Sequence, residues 1–91
     1  MTWKVEFSRA AAKELDRLDP QHARKLLVFL HERLARLEDP RSLGEALKGP
    51  RFGEFWRYRI GDYRIVVRIE DERLIILVVR IGHRRELYKG Q

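Results

Sequence analysis

Arg57, Arg59, Arg64 and Arg68 fall within fifteen residues, FWRYRIGDYRIVVRI (55–69), whose remaining positions are those of a sheet. Only Asp62 lies among them with the opposite sign. Guanidinium groups are poor bases, since they keep their proton to a pKa above ~12. Their planar fork of donors instead matches the oxygens of phosphate or carboxylate. A second stretch, RIGHRRELY (80–88), adds His83, Arg84, Arg85 and Tyr88. Together the two stretches offer cations for an anion, and in His83 or Tyr88 a side chain able to move a proton.

The elements that carry these residues are legible from spacing. TWKVEFS (2–8) alternates, with Trp3, Val5 and Phe7 on one face, as a half-buried strand does. Ser8 is placed to cap a helix whose Ala11, Leu15 and Leu18 form a stripe. Asp19-Pro20 predicts a second cap with proline at the first helical position. The run from Ala23 through Leu26, Leu27, Leu30, Leu34 and Leu37 has helical spacing and stops at Asp39-Pro40. Two helices so closely linked predict an antiparallel hairpin.

Residues 40–53, rich in proline and glycine, predict a loop around the apolar anchor Leu43 and Leu47. Strands are expected over 54–60, 63–70 and 73–81. Gly61-Asp62 forms a two-residue turn with glycine first, as a type II′ turn prefers. Strand 73–81 is almost continuously apolar and predicts a position covered on both faces. The order is βααβββ: an α+β domain over residues 1–91, a small antiparallel sheet with the helical hairpin on one face.

Composition narrows the chemistry. The chain has 91 residues and no cysteine, which rules out disulfides and thiolate-held metal. His22, His31 and His83 lack ligand spacing, so neither metal nor cofactor is expected. No apolar run approaches ~20 residues and no basic-then-apolar leader is visible, which predicts a cytoplasmic protein away from membranes. Net charge is +6, of which +4 lies in residues 51–91. That excess favours a polyanion or an acidic protein as partner.

If Gly61-Asp62 closes a two-residue hairpin, Arg59 faces Arg64 and Arg57 faces Val66. Alternation then puts Trp56, Tyr58, Ile60, Tyr63, Ile65, Val67 and Ile69 on one face. The four arginines take the other. Like charges opposite one another on a sheet cost roughly 0.2–1 kcal/mol per pair. Two explanations stand. The stems could lie flat over Val66, Leu77 and Val79, shielding apolar surface. Alternatively the face binds an anion that turns the repulsion into affinity. If the chain bends beyond strand 73–81, some of His83, Arg84, Arg85 and Tyr88 reach over this face.

With WKVEFSRAAAKELDRL, LKG (47–49), WRYRIGDYRIVV (56–67) and GHRRELY (82–88) in this order, the chain resembles the RelE/ParE superfamily of bacterial toxins. The likeness runs nearly end to end. It implies the toxin of a type II toxin–antitoxin system, with an acidic RelB-like antitoxin as partner in a hetero-oligomer. The RelE branch implies a metal-independent endonuclease that cuts mRNA on the ribosome. Its functional positions map onto Arg57, Arg59, Arg64, Arg84 and Tyr88; Arg68, on the same expected face, and Arg85 are expected as further RNA contacts. The best-known RelE proteins carry lysine where this chain has Arg57 and Arg59, a departure that keeps phosphate binding and argues against proton transfer there. The ParE branch implies inhibition of DNA gyrase without a nuclease.

In the RelE reading the RNA 2′-OH attacks the adjacent phosphate and leaves a 2′,3′-cyclic phosphate and a 5′-OH. That step needs a base, an acid and cations for the added negative charge. Tyr88 is the expected base, with His83 as the alternative. Arg84 is expected near the leaving oxygen, with Arg57, Arg59 and Arg64 as phosphate clamps.

Overall fold

The structure, a computed structural model, describes residues 2–47 and 55–83. Five strands form one sheet in the order β1-β5-β4-β3-β2: β1 (Lys4–Phe7), β2 (Glu45–Ala46), β3 (Phe55–Ile60), β4 (Tyr63–Glu70) and β5 (Ile75–His83). All neighbours are antiparallel except β1 and β5, which run parallel. Helices α1 (Arg9–Asp16) and α2 (Pro20–Val28) follow one another on one face. The expected α+β architecture is present. It gains β2, inside the stretch read as a loop. Two paired residues are too few to show a period of two.

The helix stripes meet the sheet as their spacing requires. Ala11, Leu26, Leu30 and Leu34 are buried against Tyr58, Ile65, Val67, Ile76, Val78 and Ile81, and Trp3 closes one side. Each such aliphatic side chain contributes on the order of 1.5–3 kcal/mol. Beyond Val28 the helix widens into a π turn (Phe29–Arg33) and tightens into a 3₁₀ turn (Leu34–Arg36). That adjustment keeps both Leu34 and Ala35 inside. Asp19 caps α2 only through its carbonyl, which accepts from the Ala23 N–H at 2.9 Å; its side chain makes no capping bond. The loop anchor also differs from expectation, since Pro40 is buried whereas Leu43 is exposed.

Ser8 joins three elements. Its Oγ accepts from the Ala11 N–H at 3.0 Å, capping α1, and donates to the Val79 carbonyl at 3.0 Å. Val79 is the extra residue of a bulge: Val66 pairs with Arg80, and Val67 with Val78. Past Val78, β5 has lost β1 as a neighbour. Glu14 of α1 takes over, its Oε1 accepting from the Ile81 N–H at 2.8 Å while Oε2 holds Arg80 Nε at 3.1 Å. A bulge shifts alternation by one position. Ile81 and His83 therefore join Ile76 and Val78 on the helix face.

The edge beside β2 is fastened at two places. Tyr58 Oη donates to the Pro40 carbonyl at 2.8 Å, and burial pushes this phenol well above its ordinary pKa. Gly44 lies so close that a Cβ there would sit 2.8 Å from Tyr58 Cε1. Arg41 reaches Asp39 at 3.2 Å and both carboxylate oxygens of Asp71, with its guanidinium 6.0 Å from the centre of the Trp56 ring. This pins the 3₁₀ turn Pro40–Leu43 to the turn Asp71–Arg73.

Gly44→Ala is expected to cost about 1–3 kcal/mol, because the ring it would meet is packed and hydrogen-bonded. Thermal unfolding should show a midpoint about 4–8 °C lower per kcal/mol lost. Asp71 supplies a pH test. Hydrogen bonds from Arg41 hold its carboxyl below the usual range, so its contribution is complete above ~4 and fades as pH falls through the lowered value. Asp71→Asn should unfold at lower temperature than the parent at neutral pH, and the gap should close in acid.

Candidate anion-binding face

The Gly61-Asp62 turn sets the site. Gly61 has φ +62° while Asp62 stays at negative φ, as a type II′ turn requires. The resulting register is the expected one: Ile60 faces Tyr63, Arg59 faces Arg64, Tyr58 faces Ile65 and Arg57 faces Val66. With Tyr58, Ile65 and Val67 in the core, Arg57, Arg59, Arg64 and Arg68 share the opposite face.

The four arginines are not equivalent there. Arg59 leaves 59% of its side chain exposed and Arg57 only 20%. Arg68 is exposed. Arg64 is 9% exposed, and its Nη1 donates to the Tyr63 carbonyl at 3.3 Å. Gly82 is its partner on β5, so no side chain crowds it from that strand. Arg57 and Arg64 thus follow the packing explanation in their stems, beside Val66 at 6% exposure, while Arg59 presents its charge outward.

The charge on this face is also partly met from within. Glu45 of β2 stands opposite Arg57, and its Oε1 lies 3.1 Å from Arg57 Nη2 and 3.6 Å from Arg59 Nε. Sequence reasoning missed this residue, because its strand was read as loop. The pairing of a short edge strand with β3 is what brings it in.

His83 lies elsewhere. β5 runs two residues further than expected, and the bulge turns His83 to the helix face. There its ring meets Tyr63 edge-on at 5.9 Å, and Tyr63 Oη is 3.0 Å from His22 Nδ1. Of the four side chains of which some were expected to reach over the arginines, His83 is therefore not one. Depressions of about 380 Å³ and 280 Å³ flank Tyr63 on that side, the first lined by Glu14, Arg17 and Arg80, the second by His22, Lys25 and Asp62. Arg84, Arg85 and Tyr88 lie outside the described residues. Among the described residues, the arginine face holds neither tyrosine nor histidine, and no group of three or more His, Asp or Glu is placed to hold a metal. Nor is any helix long and apolar enough to cross a membrane.

The arrangement is one of fixed cations on a sheet face, suited to oxyanions. Comparison with known proteins identifies the fold. Toxin RelG of Mycobacterium tuberculosis is 30% identical over 89 residues, covering 98% of this chain and 99% of that protein. The crystal structure of the RelBE2 toxin–antitoxin complex of the same organism is similar with a TM-score of 0.84 and 27% identity, over 94% of this chain and 95% of that one. The archaeal RelE–RelB complex of Pyrococcus horikoshii gives a TM-score of 0.73 at 27% identity, over 94% and 99%. The intact RelBE complex of E. coli gives 0.69 at 26%, over 89% and 95%. The family model for the ParE toxin of type II toxin–antitoxin systems, parDE, matches residues 5–88. With its fold and nearly its whole length matched, the chain belongs to the ParE toxin family of type II toxin–antitoxin systems, within the RelE/ParE superfamily.

Proposed function

We propose that the protein is a ribosome-dependent mRNA endonuclease that arrests translation and is held inactive by an acidic antitoxin. The observation that carries this reading is the shared sheet face of Arg57, Arg59, Arg64 and Arg68, aligned by the hairpin register. Guanidinium groups along one strand pair, with Arg59 and Arg68 exposed, match the phosphates of a single RNA strand. The solved complexes of similar toxins with RelB antitoxins support the partner.

In the chemistry, the 2′-oxygen loses its proton to the Tyr88 phenolate and bonds to phosphorus as the bond to the 5′-oxygen breaks, and the departing 5′-oxygen takes a proton from water. Arg57, Arg59 and Arg64 bear the charge that grows on the phosphate oxygens, and Arg84 stands at the leaving oxygen. Arg68 and Arg85 extend the contact along the RNA. A phenol with an ordinary pKa near ~10 is a weak base at neutral pH unless cations favour the phenolate. Such an enzyme depends on the ribosome to hold the mRNA in line for attack. The placement of His83 beside Tyr63, on the face away from the arginines, favours Tyr88 over His83 as the base.

A second reading, inhibition of DNA gyrase without cleavage, is favoured by one observation: the matching family model is that of the ParE toxin. Mapping of RNA 5′ ends on translating ribosomes, beside a gyrase supercoiling assay, separates the two. Tyr88→Phe is expected to lower cleavage by ~10² or more with little change in binding, the scale of removing an acid–base group. Arg84→Ala should lower it comparably, and His83→Gln should have little effect. Full activity in Tyr88→Phe together with loss in His83→Gln would reverse the base assignment. If the wild type cuts nothing on ribosomes yet blocks supercoiling, the gyrase reading replaces the first.

The antitoxin gives a separate test. Co-expression with the adjacent small open reading frame should restore growth, and its acidic product should co-purify with the toxin. Their association rate should fall steeply with added salt, as electrostatic steering requires. A neutral neighbour that neither rescues nor co-purifies would contradict this.

A further inference from the structure

Glu45 places a carboxylate where an anion-binding face should want none. It sits on a two-residue edge strand, opposite Arg57, with one oxygen between Arg57 Nη2 and Arg59 Nε. At 58% side-chain exposure it is a solvated group on a short edge, not a buried structural ion. Glu45 lies more than half in solvent, so water and incoming anions can replace it and the contact is readily exchanged. A carboxylate presents two oxygens to a guanidinium fork much as phosphate does.

We infer that Glu45 is a built-in competitor for the anion, occupying the Arg57–Arg59 site in the free protein and displaced from it when a phosphate binds. The inference rests on the anion-binding reading of the arginine face and adds a selectivity to it. A lone small anion must displace Glu45 for a single contact. A nucleic acid strand spans the face and also meets Arg68, exposed toward the far end of β4, so the carboxylate biases the face toward polyanions. Glu45 acts here through Arg57 and Arg59, as a positioning and selecting residue.

The test uses the full chain and a labelled single-stranded RNA with 2′-O-methyl groups, which cannot be cleaved. Binding is measured across a salt series for wild type, Glu45→Gln, Arg59→Gln and the double variant, with inorganic phosphate as a competing small anion. Glu45→Gln should bind the RNA about three- to tenfold more tightly at low salt, the scale of two exposed ion pairs released together. Its plot of log affinity against log salt should steepen by ~0.7 for each arginine freed for phosphate contact. Inorganic phosphate should compete better against the variant than against wild type. In the double variant the gain should shrink, since one of the two released cations is gone.

A merely structural carboxylate would give a lower melting temperature and no steeper slope, which overturns the inference. So would Glu45→Gln binding RNA equally or more weakly at an unchanged melting temperature. If Glu45→Gln bound more tightly but lost cleavage on ribosomes, Glu45 would be taking part in the chemistry, and a role as competitor alone would be overturned. Failure of the underlying reading looks different: Arg57→Gln, Arg59→Gln and Arg64→Gln would all bind RNA as wild type does. As a second measurement, the Nε–H resonances of Arg57 and Arg59 should shift when Glu45 is replaced, and shift again with RNA.

Discussion

The register of the β3–β4 hairpin is the constraint on which the rest depends. One glycine at positive φ, followed by Asp62 at negative φ, makes the strands meet with Arg59 opposite Arg64. A slip of β4 by a single residue against β3 would turn Arg64 and Arg68 toward the helices and expose Ile65 and Val67. The hydrophobic cost of that inversion, at about 1.5–3 kcal/mol per large side chain, far exceeds the repulsion between Arg59 and Arg64. The fold therefore tolerates the like-charge pair and gains a basic face.

The helices do more than cover the other face. Ser8 follows β1, caps α1 and donates its hydroxyl proton to the carbonyl of the bulged Val79. Glu14 then supplies the acceptor that β1 no longer provides, at the Ile81 N–H. These two short contacts set the side on which everything after Val79 in β5 is displayed. His83 is turned toward Tyr63 and His22 as a direct result. The basic face and the aromatic cluster at the hairpin tip are separated by the sheet.

Charge on the basic face is managed in three ways. Arg64 is covered and donates to a backbone carbonyl. Arg57 and Arg59 share Glu45, while Arg68 stands exposed at the other end of β4. Arg41, by contrast, belongs to a separate network with Asp39 and Asp71 that fastens loop to turn. Its charge is spoken for by two carboxylates and serves stability. A count of arginines alone therefore overstates the cations available to a ligand.

Much of the architecture was legible without coordinates, because it rests on periodicity. Val5 and Phe7 alternate, Leu26, Leu30 and Leu34 recur at helical spacing, and Gly61-Asp62 names its own turn. Those local rules determined the elements, the buried face of the hairpin and the arginines on the other side. Three features belong to tertiary structure alone. Strand β2 exists only because β3 offers an edge to two residues that carry no pattern. The bulge at Val79 exists because Ser8 and Glu14, 71 and 67 residues away from their partners in β5, meet its backbone. Glu45 enters the arginine face only through that edge pairing. Each depends on a contact between segments far apart in the chain, and a pattern read over neighbouring residues carries no record of such a contact.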